Sequence, residues 1–298
     1  MVTTKSIAKT KVASFAQGQE TAASPLILLT GATGFVGHHV LTALIERDQA
    51  IRLVVREGKQ NTIQESPAIE KVITTPDLWS ESAEWWTSVC RGVDGVIHVA
   101  WHVDPNDYLQ SPKNQECLQG TLRLAQGAAQ AKVRRLVGIG TCFEYDLSAG
   151  DLTIHTPLRP LTPYAEAKVA TFRALFQSLP QQGMEFVWCR LFYLYGEGEK
   201  KQRLVPYLHR KLKNGEPAEL TSGEQVRDYL DVREAGERIV NAALGTAQGP
   251  VNICSGIPVT IRQLAERIAD GYGRRDLLRF GARPDNPADP PCIVGIPG

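Results

Sequence analysis

The sequence predicts an α/β fold in which a doubly wound parallel sheet is followed by a smaller C-terminal α/β lobe. Short apolar runs alternate with stretches of helical periodicity up to about residue 192. The runs are almost continuously apolar, which is typical of parallel strands that helices cover on both faces. Beyond residue 193 the elements become shorter, and glycine, proline and charged residues become more frequent.

The same patterns give the order of the elements. Strands are predicted where aliphatic and β-branched residues cluster, at 26–30, 51–55, 72–75, 93–100, 135–140 and 185–192. Helices are predicted between them at 35–47, 80–91, 116–131 and 164–179. In the lobe we expect helices at 203–213, 231–243 and 260–271, and extended segments at 218–221 and 250–253.

The composition excludes several classes of protein. The formal net charge is +1, so neither nucleic acid nor an anionic membrane is expected as a partner. No apolar run is long enough to span a membrane, and residues 1–24 lack the apolar core of a secretory signal. The six cysteines have no CxxC spacing, which indicates reduced thiols and no metal site. We therefore expect a cytoplasmic protein with a disordered leader over 1–24.

The strongest motif is the glycine-rich turn TGATGFVG at residues 30–37, between the first strand and the first helix. Gly31 lets the chain turn sharply, Gly34 lets the backbone approach a pyrophosphate, and Gly37 lets helix and strand pack closely. The N–H groups and the positive dipole end of the helix favour phosphate. A dinucleotide site is therefore predicted here, and its expected contacts also include Thr33, Phe35 and Val36.

The end of the second strand indicates which cofactor is bound. A carboxylate at this point would accept hydrogen bonds from the 2′-hydroxyl of NAD. The sequence has Val54-Val55-Arg56 instead. The Arg56 guanidinium suits a 2′-phosphate, so NADP(H) is favoured and NAD(H) stays possible. The alternative is a solvated arginine at a strand end.

A tyrosine and a lysine four residues apart, Tyr164 and Lys168, begin a predicted helix and share one of its faces. An ammonium beside a phenol favours the phenolate, so we expect Lys168 to lower the pKa of Tyr164. Tyr164 would then exchange a proton with a substrate oxygen while hydride moves to or from a nicotinamide. Thr141, just past the fifth strand, is the expected hydroxyl partner of that oxygen.

Together, the glycine turn, Thr141 and the Tyr-x-x-x-Lys pair resemble the extended short-chain dehydrogenase/reductase superfamily, in its NAD-dependent epimerase/dehydratase branch. The resemblance runs from about residue 26 to 275 and is extended by the segments DGVIHVA (94–100), RLFYLYG (190–196) and QVRDYLDV (225–232). It implies that Val99 and Ala100 line the nicotinamide side, that Asp77 and Leu78 contact adenine, and that Arg227 meets a substrate diphosphate.

The resemblance also implies a domain organisation and a substrate. We expect a dinucleotide-binding Rossmann domain over 25–192, a mainly substrate-binding lobe over 193–280 and an irregular tail over 281–298. The family acts on nucleotide-linked sugars and often forms homodimers. A non-catalytic, cofactor-binding regulator is the competing class, but such proteins often lose the Tyr–Lys pair, which this sequence keeps.

Departures from the family pattern indicate which of the family's reactions is favoured. Cys142 and Phe143 follow Thr141, where 4,6-dehydratases carry an acid, so elimination lacks its proton donor. Tyr193 replaces an asparagine that often contacts substrate phosphate, and Cys117 replaces another asparagine. Arg203 either faces a diphosphate or is solvated. A reductase of 4-keto-6-deoxyhexose nucleotides is favoured, with a 4-epimerase as the alternative.

Overall fold

The computed structural model describes residues 24–287 and 289–297, so the expected leader lies almost entirely outside the described residues. Its strands are β1 (Ile27–Thr30), β2 (Ile51–Arg56), β3 (Ile69–Thr75), β4 (Gly95–His98), β5 (Arg135–Thr141), β6 (Asp151–Leu152), β7 (Glu185–Leu191), β8 (Tyr193–Tyr195), β9 (Ala218–Glu219), β10 (Val226–Asp231), β11 (Gly249–Ile253), β12 (Pro258–Thr260), β13 (Leu278–Arg279) and β14 (Cys292–Gly295). Its α-helices are α1 (Phe35–Ile45), α2 (Ala83–Val89), α3 (Lys113–Gln130), α4 (Pro163–Ser178), α5 (Leu204–Lys213), α6 (Val232–Leu244) and α7 (Ile261–Asp270).

Seven strands form a central parallel sheet in the order β3-β2-β1-β4-β5-β7-β11. The strand order reverses between β1 and β4, which is the arrangement of a doubly wound dinucleotide-binding sheet. All residues of β1, β4 and β5 are buried, as the continuous apolar runs predicted. The Rossmann-type α/β fold expected from the sequence is confirmed.

Helices cover both faces of this sheet. On one face α1 and α6 pack against each other and against the strands, with a core that includes Leu29 and Val240. On the other face lie α2, α3 and α4, whose core includes Leu28 and Trp188. Leu28 and Leu29 point to opposite faces because side chains alternate along a strand. Within the described residues, no helix is both long and apolar enough to cross a membrane.

The C-terminal half is divided differently from the expected ranges. Helix α6 and strand β11 lie within 193–280, yet both belong to the layers of the central sheet. The amphipathic face of α6 explains this, because Ala235, Ile239 and Val240 are fully buried against that sheet. The lobe itself has a separate small core formed by α5, α7, β9 and the residues around β13.

The segment expected to be an irregular tail contains a strand. Residues 292–295 form β14, which pairs in parallel with β10 and with β6. Ile293 and Val294 are buried there, and burial of this short apolar pair prevails over the surrounding prolines. The resulting second sheet, in the order β12-β10-β14-β6 with β8 beside β10, places Tyr193 and Tyr229 next to each other.

Candidate active site

A cleft of about 1150 Å³ opens at the carboxyl ends of the central strands. Residues that line it directly follow four of these strands: Gly31 after β1, Val99 after β4, Cys142 after β5 and Phe192 after β7. Arg56, the last residue of β2, lines it too. Ligands of doubly wound sheets bind at this edge, where the strand order reverses.

The glycine turn has no room for side chains at two of its glycines. Gly31 has a φ of +79°, and a Cβ there would lie 2.7 Å from the backbone nitrogen of Ala100. A Cβ on Gly37 would collide with the carbonyl oxygen of Gly31. No side chain caps the N-terminus of α1, and Thr33, Gly34, Phe35, Val36 and Gly37 all line the cleft. The helix therefore offers its first-turn N–H groups to a phosphate, as a dinucleotide requires.

Three charged side chains line the part of the cleft at the ends of β2 and β3. Arg56 and Lys59 are exposed at the end of β2, and Asp77, followed by Leu78, lies at the end of β3. Arg52 does not reach this region, because its guanidinium donates to the carbonyl oxygens of Val89 and Arg91 at 2.8 Å. Arg56 and Lys59 are therefore exposed cations at this end of the cleft.

The catalytic candidates lie at the centre of the cleft. Thr162 caps α4 by accepting the N–H of Ala165, which fixes the helix start that carries Tyr164. The Nζ of Lys168 donates to the carbonyl oxygen of Ile139 at 2.6 Å. Tyr164 and Thr141 both line the cleft, and the side chain of Thr141 acts to lower the pKa of Tyr164. The structure thus brings Thr141, Tyr164 and Lys168 together along one wall.

The electrostatics of the pair differ from the expectation. Burial raises the pKa of Tyr164, the charges of Tyr108 and Glu144 add to this, and the side chain of Thr141 opposes it. Burial also lowers the pKa of Lys168 to about 7, against the opposing effects of Cys117 and Glu144. The expectation that the pKa of Tyr164 is lowered is not met, because loss of hydration on burial has the largest effect and raises the pKa. Tyr164 is therefore a protonated phenol at neutral pH.

The turn after β5 holds the carboxylate of Glu144 outside the cleft. Glu144 is fully buried and accepts the N–H of Thr141 at 2.9 Å and the indole N–H of Trp188 at 3.0 Å. It also pairs with buried Arg190 at 2.6 Å. Glu144 is not among the residues that line the cleft, whereas Cys142 is, and burial raises the pKa of the Cys142 thiol to about 12. Glu144 therefore lies outside the cleft, and Cys142 is a neutral thiol at neutral pH.

Below the cofactor turn, a buried histidine joins β1, β4 and α3. The Thr121 hydroxyl donates to the carbonyl oxygen of Cys117 at 2.7 Å, so it accepts from Nε2 of His98 at 3.0 Å. The Nδ1 of His98 then accepts the hydroxyl of Thr30 at 2.8 Å. Burial and Lys168 lower the pKa of His98 to about 3, so the ring is neutral. Cys117 also accepts the N–H of His102 at 3.3 Å, which supplies a contact at this departure from the family pattern.

The end of the cleft that contains Tyr193 is aromatic, and one residue predicted to bind substrate lies outside the cleft. Phe143, Tyr193 and Arg203 line the cleft as expected. Arg227 does not, because its guanidinium pairs with Asp289 at 2.7 Å behind the ring of Tyr193. The expectation that Arg227 faces a diphosphate is therefore not met by this arrangement.

Several residues that line the cleft were not predicted from the sequence, including Trp101, Tyr108, Glu199 and Tyr229. Tyr108 packs edge-on against Tyr164, with ring centroids 5.1 Å apart. The signal for Trp101 was available, because it directly follows Ala100, which was already predicted to line the nicotinamide side. Tyr229 depends on the pairing of β8 with β10, which no local pattern indicates.

Comparisons with known proteins agree with this geometry. dTDP-6-deoxy-L-talose 4-dehydrogenase (NAD(+)) of Aggregatibacter actinomycetemcomitans is 21% identical over 90% of this chain and 98% of its own length. GDP-6-deoxy-D-mannose reductase of Pseudomonas aeruginosa is 28% identical over 82% of this chain and 79% of its own length.

A solved structure, the UDP-N-acetylglucosamine 4-epimerase of Methanobrevibacter ruminantium M1 in complex with UDP-N-acetylmuramic acid, superposes with a TM-score of 0.81. It is 21% identical, and the alignment covers 92% of this chain and 89% of the other. The model of the NAD dependent epimerase/dehydratase family matches residues 27–254, from the first strand of the central sheet to its last. The chain belongs to the NAD dependent epimerase/dehydratase family.

Proposed function

We propose that this protein is a nicotinamide-dependent oxidoreductase that reduces the 4-keto group of a nucleotide-linked 6-deoxyhexose. The observation that carries the proposal is the buried phenol of Tyr164 in the same cleft as Thr141 and Lys168. A ketone reductase needs a proton donor at this point, whereas an oxidation begins with a base. The names of two relatives, a 6-deoxytalose 4-dehydrogenase and a 6-deoxymannose reductase, support the same substrate class.

The residues divide the reaction between them. A reduced nicotinamide cofactor, when bound, would supply the hydride that the carbonyl carbon receives. Thr141 and Tyr164 hold the carbonyl oxygen by hydrogen bonds, and Tyr164 gives it the phenolic proton, so the ketone becomes a secondary alcohol. The Lys168 ammonium stabilises the phenolate that remains, which then takes a proton from solvent. The aromatic walls of Phe143 and Tyr193 exclude water from the sugar.

An elimination reaction is less well supported, because the residues that directly follow Thr141 supply no acid to the cleft. Glu144 is the carboxylate nearest along the chain to Thr141, and it is held in a buried ion pair with Arg190. Cys142 stays a neutral thiol. We therefore do not propose a 4,6-dehydratase.

For the cofactor we propose NADPH. Arg56 and Lys59 lie at the end of β2 and line the cleft, where the ribose of the adenosine half binds in such sheets. Two exposed cations favour a 2′-phosphate, although the name of one relative specifies NAD(+). A homodimer and a cytoplasmic location stay predictions from the sequence. Light scattering of the purified protein tests the first.

The proposal is tested by following oxidation of NADPH and NADH with a panel of nucleotide-linked 4-keto-6-deoxy sugars. We expect turnover with one member, and a loss of kcat of about 10²–10⁴-fold in Tyr164→Phe. Tyr272→Phe, an exposed tyrosine outside the cleft, is the matched control. If the sugar changes configuration without net oxidation of either cofactor, the protein is instead an epimerase.

A further inference from the structure

Trp101 covers the lysine of the catalytic pair. The Nζ of Lys168 lies 3.6 Å from the centroid of the Trp101 ring, within the range of a direct cation–π contact. On its other side the ammonium donates to the Ile139 carbonyl at 2.6 Å. Lys168 is only 3% exposed, so the aromatic ring is a large part of what separates it from water.

The position of Trp101 is fixed by Asn114 at the start of α3. The indole N–H of Trp101 donates to Oδ1 of Asn114 at 2.9 Å. The amide nitrogen of Asn114 donates to the carbonyl oxygens of Tyr108 and Ser111, at 2.6 and 3.0 Å. Since both ends of this buried amide are used, its orientation is set, and Trp101 is anchored over Lys168.

Two opposing effects of the ring act on the ammonium. Its π face attracts the cation, which favours the charged form, whereas its bulk excludes water, which favours the neutral amine. The other titratable groups near Lys168 are His98 on β4, Cys117 on α3, Glu144 after β5 and Tyr164 on α4 itself. His98 is neutral. Burial has the largest effect on Lys168, because burial lowers the pKa of this lysine to about 7.

We propose that Trp101 is a positioning residue that holds the Lys168 ammonium against the Ile139 carbonyl and keeps water away from it. The kinetic part of this inference rests on the proposed reductase function, in which the ammonium stabilises the Tyr164 phenolate. The physical part does not, because the protonation of Lys168 can be measured in the protein without any substrate. An aromatic residue at this position therefore determines the pH range in which the lysine is charged.

The experiment is an NMR titration of isotopically labelled lysine in four forms of the full chain. In Trp101→Ala water enters, and we expect Lys168 to titrate about one pH unit or more above the wild type. In Trp101→Leu the apolar bulk stays but the π face is lost, so titration should fall by about one unit. Trp101→Phe keeps a face and should lie near the wild type. Trp85→Leu, a tryptophan on α2 outside the cleft, is the control.

The pKa of Lys168 is expected to shift in opposite directions in the alanine and leucine variants. This difference distinguishes a positioning role of Trp101 from general damage to the fold. Equal titration of Lys168 in wild type, Trp101→Ala and Trp101→Leu would overturn the proposal, as would equal shifts in the alanine and Trp85 variants. If the alanine variant does not fold, the leucine and phenylalanine variants still decide the role of the π face. Shifts as expected, together with no reduction of any sugar, would reject the proposed function and leave this inference standing.

Discussion

Replacement of Lys168 by methionine tests whether the buried ammonium is held at a cost to stability. The folded pKa of Lys168, about 7, lies below its ordinary value of 10.5, so between these pH values the unfolded chain binds the proton more tightly. Stability therefore rises with pH across this window. At about 1.4 kcal/mol per pKa unit, the cost of the charge is about 4 kcal/mol at pH 7 and about 2 kcal/mol at pH 9.

Methionine keeps the apolar stem but cannot donate a hydrogen bond to the carbonyl oxygen of Ile139. The loss of this hydrogen bond reduces the expected gain in stability by about 1 kcal/mol. We expect Lys168→Met to be more stable than the wild type by about 3 kcal/mol at pH 7 and about 1 kcal/mol at pH 9. Urea unfolding of both proteins at the two pH values measures the difference. Because the other groups titrate equally in both proteins, their contributions cancel in the difference between the two free energies of unfolding.

Lys213→Met, which removes an exposed lysine at the end of α5, provides the control and should change stability little at either pH. A Lys168→Met protein that is less stable than the wild type at pH 7 would refute the reasoning. So would a stability difference that grows between pH 7 and pH 9. Either result would mean that the ammonium is compensated by its contacts with Ile139 and Trp101.

Two further predictions concern the cofactor and the buried ion pair. Arg56→Ser should weaken NADPH binding by about 10-fold or more and leave NADH binding nearly unchanged, as measured by fluorescence titration; equal loss for both cofactors would argue against a 2′-phosphate contact. Glu144→Gln leaves the Arg190 charge buried without a counter-charge and should cost about 3–5 kcal/mol of stability in urea. Glu70→Gln, which neutralises a half-exposed carboxylate paired with the largely buried Arg52, should cost about 0–1 kcal/mol, and similar losses in the two variants would contradict this account.

The parts of the candidate site that the sequence located in the cleft are those set by local constraints. Gly31 and Gly37 have no room for a Cβ, so the chemistry of the turn is visible in a few consecutive residues. Tyr164 and Lys168 share a helix face by spacing alone. These features need no knowledge of distant contacts, and the structure places all of them in one cleft.

The parts that were missed depend on partners far away in the sequence. Arg227 matches a family motif, but its charge is taken by Asp289, and no local pattern pairs those two residues. The pKa of Tyr164 depends on how completely the phenol is buried, which the residue spacing does not reveal. Helix α6 has an ordinary amphipathic pattern, and only packing against α1 assigns it to the central sheet.

Strand β14 affects the order in which the two larger sheets of the protein can fold. It lies between β10 and β6, and it joins Val294 to Asp151 and Cys292 to Val226. Contacts between such distant positions form slowly, because a long loop must close before they are gained. On the ribosome, the central sheet has all seven strands available once residue 253 has emerged, whereas the second sheet must wait for its final strand. The cofactor half of the cleft can therefore form before the wall that carries Tyr229 is finished.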